Sequence, residues 1–282
     1  MAPVDTEKQD GPSARTISAL VDDAAERFAA VGIDTSREDA VAIVADSLGV
    51  EPKELSVDSA DDVSVEVAED IENKVKRRVD RDPLAYVLGR APFRNLEIAV
   101  DERVLWPRVE TELLVEVAVD KLPQGARVHE VGTGSGAIAL ALMSERPDLK
   151  ITASDLSPEA VEAARENAER LGLDFDVSVG KGLPDDLGEV DLVIANLLYI
   201  SDETIDQRSP EIHAEPLIAI TGDCGADCLG VIRGLVEETP SGTKLALEHD
   251  THHGPAMREM LREAETLRDY EGNERVSVGL AP

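Results

Sequence analysis

Apolar residues recur at three- and four-residue intervals over the first eighty positions, then give way to short continuous runs beyond position 125. Ile17, Leu20, Val21, Ala24, Ala25 and Phe28 share one face of a helix that Gly32 stops. A second helix is expected from Ser36 to Leu48, with Ser36 as its cap, Asp39 at its third position and Gly49 as terminator. A short helix near Pro52 to Leu55 and a longer one from Ser64 to Val79 follow. No strand is expected before Pro83. Residues 13–82 therefore read as a small helical bundle behind a disordered tail at 1–12.

Between Pro83 and Trp106 the pattern changes. The apolar stretches Ala85–Leu88 and Leu96–Val100 flank Arg90-Ala91-Pro92, which predicts a β-hairpin linker over 83–106. Pro107 suits the first turn of a helix that carries Leu113, Leu114 and Val117 inward. From Ala126 strands and helices alternate. Strands are expected at Arg127–Val131, Ile151–Ser154, Phe175–Val179, Val190–Ala195 and Lys244–Glu248. Among the helices, one covers Ala137–Ser144, and another is capped by Ser157-Pro158-Glu159 and ends at Leu171-Gly172. Continuous apolar strands between helices predict an α/β fold over 107–282, its mostly parallel sheet covered on both faces. Segments near Leu267–Tyr270 and Arg275–Leu280 read as a closing antiparallel hairpin.

Charge narrows the partners. With 28 basic against 59 acidic residues, the formal net charge is −31. Such a surface repels phosphate backbones and anionic lipid, so neither direct nucleic-acid binding nor membrane binding is expected. The lysine-poor, aspartate-rich balance points to a salt-adapted or GC-rich organism. Two cysteines, Cys224 and Cys228, cannot make a disulfide framework and suit a reducing cytoplasm. The N-terminus lacks the apolar core of a signal peptide, and apolar runs such as Ala137–Met143 are too short to span a bilayer. A cytoplasmic location is expected.

The chemistry sits where the first strand of the sheet turns into its helix. Glu130-Val131-Gly132-Thr133-Gly134-Ser135-Gly136 is a glycine loop beneath which a ligand can approach the backbone, and Asp155 ends the next strand, placed to accept two ribose hydroxyls. This unit points to an adenosine-containing cofactor. Read as Gly132-x-Gly134-x-x-Ala137, it also fits the dinucleotide fingerprint, so a NAD-dependent oxidoreductase is a rival. Glu130 favours S-adenosyl-L-methionine, because a carboxylate there meets an ammonium group and repels a pyrophosphate. Expected cofactor-binding residues are Glu130, Gly132, Thr133, Gly134, Gly136, Asp155, Leu156, Gly182 and Asn196.

The fourth strand ends in Asn196-Leu197-Leu198-Tyr199 at the ligand-binding edge of the sheet. This segment resembles the Asn-Pro-Pro-Tyr signature of amino methyltransferases. More widely, the chain is similar to the peptide chain release factor N5-glutamine methyltransferases. The resemblance rests on Pro83–Gly89, Pro107–Leu114, Glu130–Leu142, Ser154–Asn167, Glu211–Pro216 with Gly222–Gly225, and Asn273–Val278. It implies a class I methyltransferase sheet of Rossmann-like type and a helical domain that recognises a protein substrate. It further implies transfer of a methyl group to a glutamine side-chain amide. Asn196 and the Leu197 carbonyl would grip the amide hydrogens while Tyr199 packs on the planar group, and Arg108, Glu112, Leu198 and His249 would face the substrate.

Two departures stand out. Leu197 and Leu198 replace the family's prolines, and Lys181-Gly182 follows the third strand where the family has an acid and an aromatic. A small-molecule methyl acceptor and a non-catalytic paralogue that still binds S-adenosylmethionine are the corresponding alternatives. His249, His252 and His253 read as solvated loop residues, and no metal is expected.

Overall fold

The computed structural model describes residues 15–185, 187–199, 205, 209–221, 225 and 227–282. The tail expected at 1–12 and Cys224 lie outside them. The chain divides into two units, up to Leu88 and from Gly89 onward.

In the first unit, the Thr16 hydroxyl accepts from the Ala19 amide and opens α1 (Ile17–Ala30). α2 (Ser36–Leu48) begins as expected, but Thr35 occupies the cap position without a side-chain bond, and Ser36 donates instead to the Ile33 carbonyl. Asp39 is also not a capping group. It is buried and accepts from Arg78 Nε at 2.7 Å, binding α2 to α3 (Val65–Val79). Leu20, Val21 and Phe28 meet Ile43, Val44, Ile71 and Val75 in one apolar core.

The stretch Ala85–Leu88 is not a strand. It belongs to α4 (Leu84–Leu88), whose turn is held by Tyr86 and Val87 amides donating to the Pro83 carbonyl. Leu84, Val87 and Leu88 fall on one helical face and pack on the core of the first unit. That burial decides helix over strand for so short an apolar run. The hairpin begins only after Gly89, as β1 (Arg90–Phe93) paired antiparallel with β2 (Leu96–Ala99).

In the second unit, Pro107 does not open a helix. Arg108 is extended, a tight 3₁₀ turn covers Val109–Thr111, and α5 (Glu112–Lys121) starts after it. Then follow β3 (Arg127–Val131), α6 (Ala137–Glu145), β4 (Lys150–Asp155), α7 (Pro158–Leu171), β5 (Asp176–Val179) and β6 (Leu192–Ala195). Beyond these lie α8 (Leu217–Ile220), α9 (Gly230–Glu238), β7 (Lys244–Glu248), α10 (Gly254–Met260), β8 (Arg262–Arg268) and β9 (Glu274–Leu280). The closing hairpin thus starts five residues before its expected first strand, at Arg262, with a register shift between Arg262 and Glu265.

The described strands of the large sheet run β5-β4-β3-β6-β7-β9-β8, parallel except for β9, which is antiparallel to both neighbours. After β3 the chain moves outward through β4 to β5, then returns to β6 on the other side of β3. This reversal opens a crevice at the carboxyl ends of β3 and β6, where open α/β sheets bind ligands. Asn167 of α7 fastens the small hairpin beside it. Its side chain exchanges hydrogen bonds with the Ala99 backbone and donates to the carbonyl of Ser135 in the glycine loop. No described helix is long and apolar enough to cross a membrane.

Candidate active site

A cavity of about 580 Å³ fills this crevice, and its walls are built from the strand ends. Glu130 comes first. β3 buries it almost completely, and Oε2 accepts from the Thr133 hydroxyl at 2.8 Å and the Ala139 amide at 3.0 Å. Burial pushes its pKa up to about 8 despite those two donors, so a cation beside it would favour the charged form. Gly132 and Gly134 both have positive φ and face the cavity with Thr133. At Gly132 a Cβ would lie 2.9 Å from Leu197 Cδ2, so the glycine makes room for the leucine that stands in place of proline. Gly136 does not line the cavity. It caps α6 in the left-handed conformation, close against Leu140 and Ala164.

Asp155, at the end of β4, accepts from the Gly134 amide through Oδ2 and from the Ser157 amide through Oδ1, at 2.8 and 2.9 Å. Asp155 also lines the cavity, and burial raises the pKa of this carboxyl too. Leu156 and Gly182 complete the wall on this side. Ser154 steadies it by donating to the Gly182 carbonyl at 3.1 Å. His129 is part of the same support, with its ring nitrogens on Thr152 and Ser154, and burial lowers its pKa to about 4.

Across the crevice, β6 delivers Asn196, Leu197 and Leu198 to the cavity. The Asn196 Nδ2 group donates to the Thr111 hydroxyl at 3.1 Å, an orientation that leaves Oδ1 as the acceptor. Tyr199 is not in the cavity wall. Its hydroxyl donates to Glu248 Oε1 at 3.1 Å, and burial raises the phenol's pKa. Glu248 closes β7 and is itself buried, which lifts its pKa to about 7, while the Thr111 and Tyr199 hydroxyls favour its charged form. Thr111 and Glu248 thus hold both ends of the Asn196–Tyr199 segment.

Of the residues expected to face the substrate, Arg108 and Leu198 line the cavity and Glu112 and His249 do not. Arg108 is ion-paired with buried Glu215 and lies over the Trp106 ring, 3.5 Å from its centroid. Glu112 accepts from the Arg94 amide at the hairpin turn. His249 is fully buried between Asp250 and Ser277, and burial lowers its pKa. The loop histidines are therefore not all solvated, since His253 is buried too and only His252 is exposed. No described group of His, Cys, Asp and Glu is arranged to hold a metal ion.

Sequence reasoning passed over Thr111, Glu215, Glu238 and Glu248. Glu248 carried a signal, a carboxylate ending an apolar strand at the functional edge of the sheet. The others become meaningful only through partners far away in the chain.

Comparison with known proteins follows the same division of the chain. Residues 19–89 match the family described as "PrmC N-terminal domain" and residues 128–214 match "Methyltransferase domain". The release factor glutamine methyltransferase of Neisseria gonorrhoeae is 36% identical over 76% of this chain and 82% of its own length. That of Escherichia coli is 35% identical, over 76% and 81%. The Deinococcus radiodurans protein of the same name is 32% identical over 91% of this chain and 95% of its own. Among solved structures, the hMettl16 catalytic domain in complex with MAT2A 3'UTR hairpin 6 aligns with a TM-score of 0.51 and 15% identity, over 76% of this chain and 81% of that one. This last likeness concerns the fold alone.

Proposed function

This chain belongs to the release factor glutamine methyltransferase family, and from that premise we propose that it methylates the side-chain amide of a glutamine in a peptide chain release factor. S-adenosylmethionine is the methyl donor, and when bound it supplies an electrophilic methyl group on a sulfonium sulfur. The cavity suits it chemically. Buried Glu130 would take the ammonium group, the glycine loop lies beneath, and Asp155 would take the ribose diol. A pyrophosphate beside Glu130 would push that carboxyl further toward its neutral form, whereas an ammonium group pairs with the charged form, which argues against the dinucleotide reading.

The observation that carries the proposal is the orientation of Asn196. With Nδ2 occupied by Thr111, Oδ1 and the Leu197 carbonyl become two acceptors for the two hydrogens of an incoming amide. An amide nitrogen is a poor nucleophile because its lone pair is delocalised into the carbonyl. Acceptors that grip both hydrogens aim what nucleophilicity remains, so positioning and electrostatics supply the rate. Tyr199, pinned to Glu248, braces the segment from behind, and the helical first unit is the part assigned to recognising the protein substrate. The comparisons give no support to a small-molecule acceptor or to a non-catalytic paralogue.

The direct test is incubation of the purified protein with S-adenosylmethionine and a peptide chain release factor, read by mass spectrometry of its peptides. A single added methyl group on one glutamine amide is the expected result. No methylation at any salt concentration, with the cofactor bound, would remove this substrate.

Glu130 adds a pH signature. In the ligand-free protein its carboxyl titrates near pH 8, far above its ordinary value of 4.5. An ammonium group at Oε favours the charged form, so binding at pH 7 releases a proton and affinity rises as pH approaches 8. Calorimetric titration with S-adenosylhomocysteine in buffers of different ionisation enthalpy should show this release, and Glu130→Gln should abolish it. Folding responds with the opposite sign. Because the folded pKa is raised, the protonated form's contribution is complete below pH 4.5 and is lost as pH climbs through 8.

A further inference from the structure

Among the described residues three carboxylates line the cavity, and two of them have so far been given work. The third is Glu238, the last residue of α9. It enters the crevice after β5, where Gly180, Lys181 and Gly182 form the wall. Neither glycine brings a side chain there, and Lys181 brings a cation, so the strand that borders this region supplies no side-chain acceptor.

Glu238 enters from another element and is held there. Its Oε1 accepts from the Leu183 amide at 2.8 Å. Gly182 is the condition for that placement. A Cβ on residue 182 would lie 2.0 Å from Glu238 Oε1 and 2.7 Å from Oε2, so a side chain there would displace the carboxylate. The carboxylate therefore occupies the space that a side chain at position 182 would fill. Among the described residues no protein donor is bonded to Oε2.

Resting on the methyltransferase reading above, we infer that Glu238 is the residue that recognises the adenine base of the cofactor, its carboxylate accepting a hydrogen bond from the exocyclic amine. The donors of an S-adenosyl ligand are an ammonium group, a ribose diol and this amine. The cavity offers one carboxylate to each, and Glu130 and Asp155 suit the first two. Glu238 sits against the turn that follows β5, and β5 lies on the side of β4 away from β3, which carries Glu130. The acid missing after β5 is thus replaced from α9, and the glycine that seems a loss at position 182 is what admits it. A carboxylate there also selects. A purine carrying a 6-oxo group presents an acceptor to an acceptor and is disfavoured, because the carboxylate then loses the hydrogen bond and meets a lone pair instead.

Calorimetric titration of the full chain with S-adenosylhomocysteine and with its deaminated analogue S-inosylhomocysteine tests this. The parent protein should prefer the amino nucleoside by about threefold to tenfold, the scale of one hydrogen bond to a carboxylate that solvent still reaches. In Glu238→Ala the affinity for S-adenosylhomocysteine should fall by about that factor while the inosine analogue binds unchanged or better, so that the preference collapses. Glu238→Gln, whose amide can accept or donate, should bind both ligands with similar affinity. Thermal denaturation of each ligand-free variant separates loss of fold from loss of recognition. A preference that survives in Glu238→Ala, or equal binding of both ligands by the parent chain, would overturn the assignment of Glu238 alone. Failure of the parent chain to bind either nucleoside would overturn the cofactor reading, and this inference with it.

Discussion

Asn196→Ala should lower kcat for amide methylation by about 10²–10³-fold while leaving S-adenosylhomocysteine affinity within about threefold, the scale seen when one preorganised polar group is removed from a reacting centre. The reasoning is local. Thr111 holds Nδ2 and Asn196 lines the cavity, so on the proposed reaction its oxygen is the acceptor left for the substrate amide. Removing it leaves the Leu197 carbonyl as a single grip, which cannot fix the plane of the amide. Asn196→Asp is the sharper control, because it keeps an acceptor but cannot donate to Thr111 and adds charge beside buried Glu248. It should also be strongly impaired. Single-turnover kinetics with saturating release factor, paired with calorimetry, separate the chemical step from binding. A kcat within threefold of the parent in Asn196→Ala would remove this residue from the reaction.

The second large effect concerns Asp155. Asp155→Ala should weaken S-adenosylhomocysteine binding by about 10²–10³-fold, as expected for losing two charge-assisted hydrogen bonds to a ribose diol at roughly 1.5–3 kcal/mol each, partly offset by relief of a buried charge. The carboxylate also accepts from the Gly134 and Ser157 amides and so shapes both the glycine loop and the start of α7. Asp155→Asn keeps one oxygen for that purpose and should keep more of the loop's order than alanine, while still losing most of the affinity. Titration calorimetry gives the affinities and circular dichroism reports whether the loop change spreads. Binding of the alanine variant within threefold of the parent would mean the diol lies elsewhere.

How much of this was legible beforehand depends on the range of the interaction that decides each feature. The loop from Glu130 to Gly136 and the acid at Asp155 were legible because strand, turn, helix and strand are consecutive, and the geometry they impose is local. Their placement in one cavity follows from it. The cap of α7 by Ser157, with Pro158 at its first turn and Gly172 at its end, was legible for the same reason. Where reading failed, distant packing had outvoted local pattern. Leu84–Leu88 is as apolar as a buried strand, and only the face it offers to the core of the first unit makes it helical. Arg108 stays extended, against the helix-opening tendency of Pro107, because its guanidinium is committed to Glu215, 107 residues away. His249 resembles a loop histidine until β9 is laid beside β7 and Ser277 meets its ring.

The sequence by itself determined the order of strands and helices, the glycine loop, the acid that follows it, and the segment that ends β6. These rest on spacing of 2.0 and 3.6 residues and on backbone conformations that glycine and proline permit or forbid, all of which act between near neighbours. Only the tertiary structure decided that Asn196 presents its oxygen and not its amide nitrogen, because Thr111, 85 residues away, gives its proton to Glu248 and accepts from Nδ2. Only the tertiary structure brought Glu248 behind Tyr199 and Glu238 over Gly182, since strand order in a doubly wound sheet places at one edge residues that no local pattern connects. The two leucines in place of prolines belong to both accounts. Their presence is read directly, but that Gly132 yields the space for Leu197 follows from the approach of β6 to β3.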